Sequence, residues 1–264
     1  SIKNGLEIVN NNGTYPPLYV TGEKSDVTID GEFIAKENKG LEAAVLYVTD
    51  KAKFTLPDKM TITTNSSINA GVFRIDNATL IVPSNVNESV IEGNKAVNGA
   101  VLYAEDGNID VKSSWIIKKN EATNGAALYL KGTDDEHIYN IGSISFAYNK
   151  GGSIMYLDNA KVDMKEGFCA YHNITTNSIV NLVGGSDLTI SKDSYMLSNE
   201  SSVAGFSLVE NCGNNKVRVL APINYTYNDG SFLKLNDSGS EFILGSVSEI
   251  RANNKVDKGA LVVD

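Results

Sequence analysis

The chain has 264 residues, 42% of them hydrophobic, and a formal net charge of -9. That acidic balance, with no Lys/Arg-rich run, argues against nucleic acid and anionic membrane surfaces as partners, because both call for a positive footprint. No stretch approaches the ~18–20 apolar residues of a membrane-spanning segment. With no initiator Met and no signal-peptide pattern at Ser1, the chain reads as a mature or excised segment. The sequence holds 30 Asn, 24 Ser and 15 Thr against 5 Pro. Asn and Gly form turns and tolerate left-handed backbone, and no segment carries a sustained helical apolar stripe, so the composition points to an all-β fold.

In chain order, one short apolar segment keeps returning. It reads Pro17-Leu18-Tyr19-Val20, then Val45-Leu46-Tyr47-Val48, then a weaker copy at 71–75. Val101-Leu102-Tyr103-Ala104, Ala127-Leu128-Tyr129-Leu130 and Ile154-Met155-Tyr156-Leu157 follow, with weaker copies at 178–183, 205–209, 230–235 and 259–263. A small residue usually opens the segment, and Gly99, Gly125 and Gly152 mark turns that need positive φ or close backbone approach. An asparagine precedes each copy, at Asn10, Asn38, Asn65, Asn94, Asn120, Asn149, Asn173, Asn199, Asn228 and Asn253, with a mean period of about 27 residues. A bulky apolar residue such as Ile62, Ile91, Ile117 or Phe146 often lies three positions before it. A third apolar run follows a turn: Asp50 before Phe54, Asp76 before Leu80, Asp106 before Ile109, Asp158 before Val162.

Three β-like runs per unit are too few for a propeller blade, and the leucine-rich frame is absent. The repeat predicts a right-handed parallel β-helix of about ten coils, with three short strands per coil, over a single domain 1–264; the hand follows the general preference of parallel crossovers. Alternation within the strong strand points Ala126, Leu128 and Leu130 inward, with Ala44, Leu46 and Val48 as equivalents. The asparagines are expected to stack as a structural ladder through Asn38, Asn65, Asn94, Asn120, Asn149, Asn199, Asn228 and Asn253. Because the chain stops inside a copy of the strong strand, the C-terminal edge is expected to continue into the parent protein or to pair with something.

Gly151-Gly152-Ser153-Ile154, Asn124-Gly125-Ala126-Ala127 and Asn98-Gly99-Ala100-Val101 resemble the Gly-Gly-Ala-Ile motif of chlamydial polymorphic outer membrane proteins, and Phe146-Ala147-Tyr148-Asn149 is similar to that family's Phe-x-x-Asn motif. Similar repeats occur in surface proteins of some parasitic protists. The resemblance implies an extracellular β-helix used in adhesion to host cells or other surfaces, as a segment of a larger surface protein. Each motif is short, only one copy matches both closely, and no autotransporter barrel is present in the chain.

The outward face of the strong strand is expected to carry Tyr19, Val45, Tyr47, Val101, Tyr103, Tyr129, Ile154 and Tyr156. The five tyrosines are the candidate partner-binding residues, for a receptor protein, a glycan or self-association. The bland reading is a tyrosine ladder that only stabilises the sheet. Eight Asn-x-Ser/Thr sequons occur, at Asn12, Asn65, Asn77, Asn87, Asn173, Asn199, Asn224 and Asn236. Asp134-Asp135-Glu136-His137 reads as a solvated turn rather than a metal loop. Cys169 and Cys212 fall at different phases of the repeat, which predicts no disulfide between them. With only His137 and His172, no phosphate loop and no carboxylate cluster visible at one phase, neither a catalytic centre, a metal nor a cofactor is expected. The alternatives are a carbohydrate-active β-helix enzyme and an architectural spacer or filament subunit.

Overall fold

A computed structural model describes residues 1–84, 88–133, 137–209, 214–236, 239–254 and 261–263, and among these described residues the fold is all-β with no helix. All strands pair in parallel with their counterparts one coil away, building a β-solenoid. Sheet 1 has ten strands, from Leu6–Val9 to Glu249–Arg251, and sheet 3 has nine, from Asp26–Thr28 to Glu241–Leu244. Sheet 2 runs from Leu18–Thr21 to Leu261–Val263 and holds the strong strand of the repeat. The chain therefore makes nine complete coils and begins a tenth. Cys212 and the acidic run Asp134-Asp135-Glu136 lie outside the described residues.

Strands of about four residues alternate inward and outward, so stacking turns each inward position into a row. Sheet 1 contributes Phe33, Met60, Trp115, Ile144 and Phe168, and sheet 2 contributes Leu46, Phe73, Leu102, Leu128 and Met155. Sheet 3 contributes Phe54, Leu80, Ile109, Tyr139 and Val162. All are buried in one continuous core. The alternation fails at the corner before sheet 2. Val45, Val101 and Ile154 were expected to face outward, but each is fully buried. The strand proper begins one residue later, at Leu46, Leu102 and Met155, and in the corner before it two consecutive residues turn inward. At that corner Gly125 has φ +57, and a Cβ on it would lie 2.1 Å from the carbonyl oxygen of Leu128, so only glycine fits.

The asparagines stack along the axis. From Asn38 to Asn228, each Oδ1 accepts both the backbone N–H and the Nδ2–H of the equivalent asparagine one coil earlier, at 2.8–3.1 Å. Each Nδ2 also donates to a sheet 1 carbonyl of the preceding coil: Asn120 to Ile91 at 3.0 Å, Asn149 to Ile117 at 2.9 Å. Asn253 ends the series by accepting from the backbone of Asn228 at 2.9 Å. Asn173 is a full member, and the first rung is Asn11 rather than Asn10. Asn10 instead fills the preceding position, with φ 58. That position is left-handed in coil after coil: Glu37, Thr64, Gly93, Lys119, Tyr148, His172, Ser198, Tyr227 and Ala252. A run of three asparagines at 10–12 hides which one enters the ladder.

In the last coils the two arms of the corner fuse into long strands, Glu200–Val209 and Asp229–Asn236. Here the core becomes aromatic: Phe232 meets Phe206 at 5.6 Å, Tyr225 at 5.4 Å and Phe242 at 5.5 Å.

Two outcomes follow from the ladder. Asn120→Ala leaves the N–H of Asn94 and the carbonyl of Ile91 without their buried partner, and should cost about 3 kcal/mol; the exposed Asn108→Ala should stay within about 0.5 kcal/mol, with urea unfolding as the check. Secreted from a eukaryotic host, the chain should never carry glycan on Asn65, Asn173 or Asn199, whose Nδ2 atoms are buried and bonded. Glycopeptide mass spectrometry should find any occupancy at exposed sequons such as Asn12 and Asn77.

Candidate functional site

The outward face of sheet 2 presents two parallel rows. Register places Tyr19, Tyr47, Arg74, Tyr103, Tyr129 and Tyr156 in the first, followed by Asn181 and Ser207, which are buried. The second holds Thr21, Thr49, Asp76, Glu105, Lys131 and Asp158. Both rows arise because the strand's first and third residues are apolar and face the core, leaving the second and fourth to face outward.

The first row is a continuous stack. Tyr19 meets Tyr47 edge-on at 5.3 Å. Tyr103 and Tyr129 are stacked at 5.2 Å and 15°, and Tyr129 and Tyr156 at 4.9 Å and 12°. Between Tyr19 and Tyr156, Arg74 fills the one coil that lacks a tyrosine at this phase. Its guanidinium carbon lies 4.8 Å from the Tyr47 ring centre and 5.4 Å from that of Tyr103, so it bridges the two rings by cation–π contact. Arg74 went unassigned in the sequence analysis, although its weak copy at 71–75 already puts it at the tyrosine phase.

The second row neutralises and pins the first. Asp76 Oδ2 accepts from the Tyr47 hydroxyl at 2.8 Å and from Arg74 Nε at 2.8 Å, while Arg74 also pairs with Glu42 from the adjoining corner. Glu105 accepts from the Tyr103 hydroxyl at 2.8 Å and pairs with Lys131 at 2.5 Å. Burial would raise Glu105, but the hydrogen bonds from Lys131 and Tyr103 outweigh it and hold the carboxyl below its usual range. Asp158 goes the other way, pushed up by burial. Burial, reinforced by Asp76, pushes the Tyr47 hydroxyl up to about 12; burial also raises Tyr103, Tyr129 and Tyr156.

Two sequence expectations are corrected here. The turn aspartates were read as one set, yet only Asp50 and Asp106 sit in left-handed turns. Asp76 and Asp158 are one residue earlier in phase and lie on the sheet face. The same shift produces what the sequence reading did not find, carboxylates sharing a phase in neighbouring coils: Asp76, Glu105 and Asp158 occupy one row. Asp76 and Glu105 are tied to Arg74, tyrosine or Lys131, which makes the row an ion-paired lattice rather than an open acid pair.

The remaining candidates are dispersed. His172 stacks on Tyr148 at 5.2 Å in the exposed turn before Asn173, while His137 precedes the sheet 3 strand Ile138–Ile141. No group of three or more His, Cys, Asp or Glu placed to hold a metal ion occurs among the described residues. Cys169 is half-buried on sheet 1, where burial raises its thiol.

The hydroxyl shifts set a pH response. A tyrosine raised above the ordinary ~10 stabilises the fold fully below that value, and this contribution is lost as pH climbs through the folded-state value. Urea midpoints should therefore fall between pH 10 and about 12, where Tyr47 titrates. A variant with Tyr47, Tyr103, Tyr129 and Tyr156 changed to Ser should fall less steeply, keeping only the contribution of buried tyrosines such as Tyr139 and Tyr225. Equal slopes would mean that the row does not perturb its hydroxyls. Comparison with family models, with curated proteins and with solved structures returns no significant match.

Proposed function

We propose that this chain is a non-enzymatic, extracellular β-solenoid of a cell-surface protein, and that it adheres to a protein partner through the tyrosine face of sheet 2. The observation that carries the reading is the pre-organised Tyr/Arg row: six aromatic or guanidinium side chains in unbroken contact, on a face where a merely solvated sheet would show small polar residues. Tyr and Arg dominate protein-binding hot spots because they offer large contact area at low entropic cost. Stacking and carboxylate bonds have already met that cost here.

The geometry favours a protein over a glycan at this face. A sugar would pack on a ring face, but from Tyr103 to Tyr156 the ring faces cover one another, leaving edges and hydroxyls for the partner. The resemblance to polymorphic outer membrane proteins supports the same surface role. An architectural spacer is the second reading, favoured by the same self-covering stack, which stabilises the sheet without any partner.

The test is adhesion of the purified segment to intact cells, beside the Tyr47→Ser, Tyr103→Ser, Tyr129→Ser, Tyr156→Ser variant and an Arg74→Gln variant. Native binding should survive removal of cell-surface glycans, and on cells stripped of them it should fall at least tenfold in the folded quadruple variant, a loss of about 1.4 kcal/mol or more. Native chain that binds no cell type, or a quadruple variant that adheres equally well, would leave the spacer reading.

A further inference from the structure

A second surface lies at a different corner of each coil. After the ladder asparagine the chain makes a short strand that pairs with its counterparts above and below. The first residues of these strands form the row Lys39, Ser66, Lys95, Glu121, Lys150, Ile174, which continues into the longer strands as Glu200 and Asp229. Lysine takes alternate coils, so the three cations repeat at about twice the ~4.8 Å strand spacing. The second residues are small, among them Gly40, Ala96, Ala122 and Gly151. A Cβ on Gly151 would meet the Ala122 carbonyl oxygen at 2.2 Å, so the floor cannot be filled by a larger side chain. Two cavities follow this row, one of about 600 Å³ along Lys39 and Ser66, the other of about 370 Å³ from Lys95 to Ile174. Exposed apolar side chains border it, Ile68 at 61% and Val97 at 42%.

From Lys39 to Ile174 the charge of the row runs against that of the chain, and the acids Glu200 and Asp229 close its far end. Within that segment three lysines face one acid, Glu121, which bonds Lys95 at 2.9 Å. Lys39 and Lys150 make no ion pair at hydrogen-bond distance among the described residues. We propose that the lysine-bearing segment of this row, from Lys39 to Ile174, is a binding track for an extended anionic polysaccharide with one acid group per disaccharide, lying along the solenoid axis. A cation every second coil matches a disaccharide step in an extended chain. A β-strand peptide presents equivalent side chains every ~6.6–6.8 Å, which falls out of step with the lysines. It would also need a free strand edge, and these strands are paired on both sides. Small floor residues admit the width of a pyranose, the apolar margin meets its C–H faces, and Ser66 and Thr123 stand beside its hydroxyls. The site is separate from the tyrosine face and does not depend on it.

The test titrates the full chain with a hyaluronan decasaccharide, which carries one carboxylate per disaccharide, at low and physiological salt. Native protein should bind, more weakly as salt rises. Lys39→Ser with Lys150→Ser should weaken binding about tenfold or more, and Glu121→Gln, which removes the competing carboxylate, should strengthen it. The tyrosine-to-serine variant should bind like the native chain. Lys39, Glu121 and Lys150 are exposed, and an unchanged unfolding midpoint verifies the fold of the charge variants. No native binding, equal binding of neutral dextran, or an unchanged affinity in either charge variant would overturn the proposal.

Discussion

The ladder amide is the interaction on which the rest depends. The chain must leave sheet 1 sharply, and to do so one residue per coil adopts left-handed backbone. The following N–H and a sheet 1 carbonyl then point inward, where no water can serve them. The asparagine side chain bonds both kinds of group and also its neighbours, so each coil is satisfied only by the coil beside it. Glutamine would overreach and aspartate has no donor. The register of all three sheets follows, because a ladder that fixes one point per coil fixes the phase of the remaining residues.

Once phase is fixed, every surface property comes as a row. A tyrosine at one position becomes a stack, and an acid two residues on becomes a lattice of ion pairs. Repetition also uses up what it repeats. Rings at strand spacing cover one another's faces, and carboxylates at that spacing recruit Lys131 and Arg74 to relieve their repulsion. The short-strand corner behaves differently, since small residues keep the row open and lysine recurs only in every second coil.

The motifs that carry the family resemblance occupy the positions the coil constrains most. Phe146 is buried in the core, Asn149 is a ladder rung, and Gly152-Ser153-Ile154 forms the corner before sheet 2. Any solenoid turning this way would select similar residues at these points. The resemblance is therefore strongest where geometry alone would produce it, and the outward rows, which geometry leaves free, are where a particular function is written.

The sequence by itself determined the all-β class, the 27-residue period, the three strands per coil and the asparagine row, because each is a local pattern repeated until chance is a poor explanation. Leu128 as a core residue and Tyr129 as an outward one were legible for the same reason, through strand alternation. Only the tertiary structure decided the matters that turn on one-residue phase. It moved Val45, Val101 and Ile154 inside, separated Asp76 and Asp158 from the turn residues Asp50 and Asp106, and chose Asn11 over Asn10. It also brought Arg74 between two tyrosines and assembled the lysine row from residues 26–29 positions apart. Corners break the period-two rule, and coils of unequal length absorb their extra residues there, so phase is fixed by hydrogen bonds between coils that a linear reading does not contain.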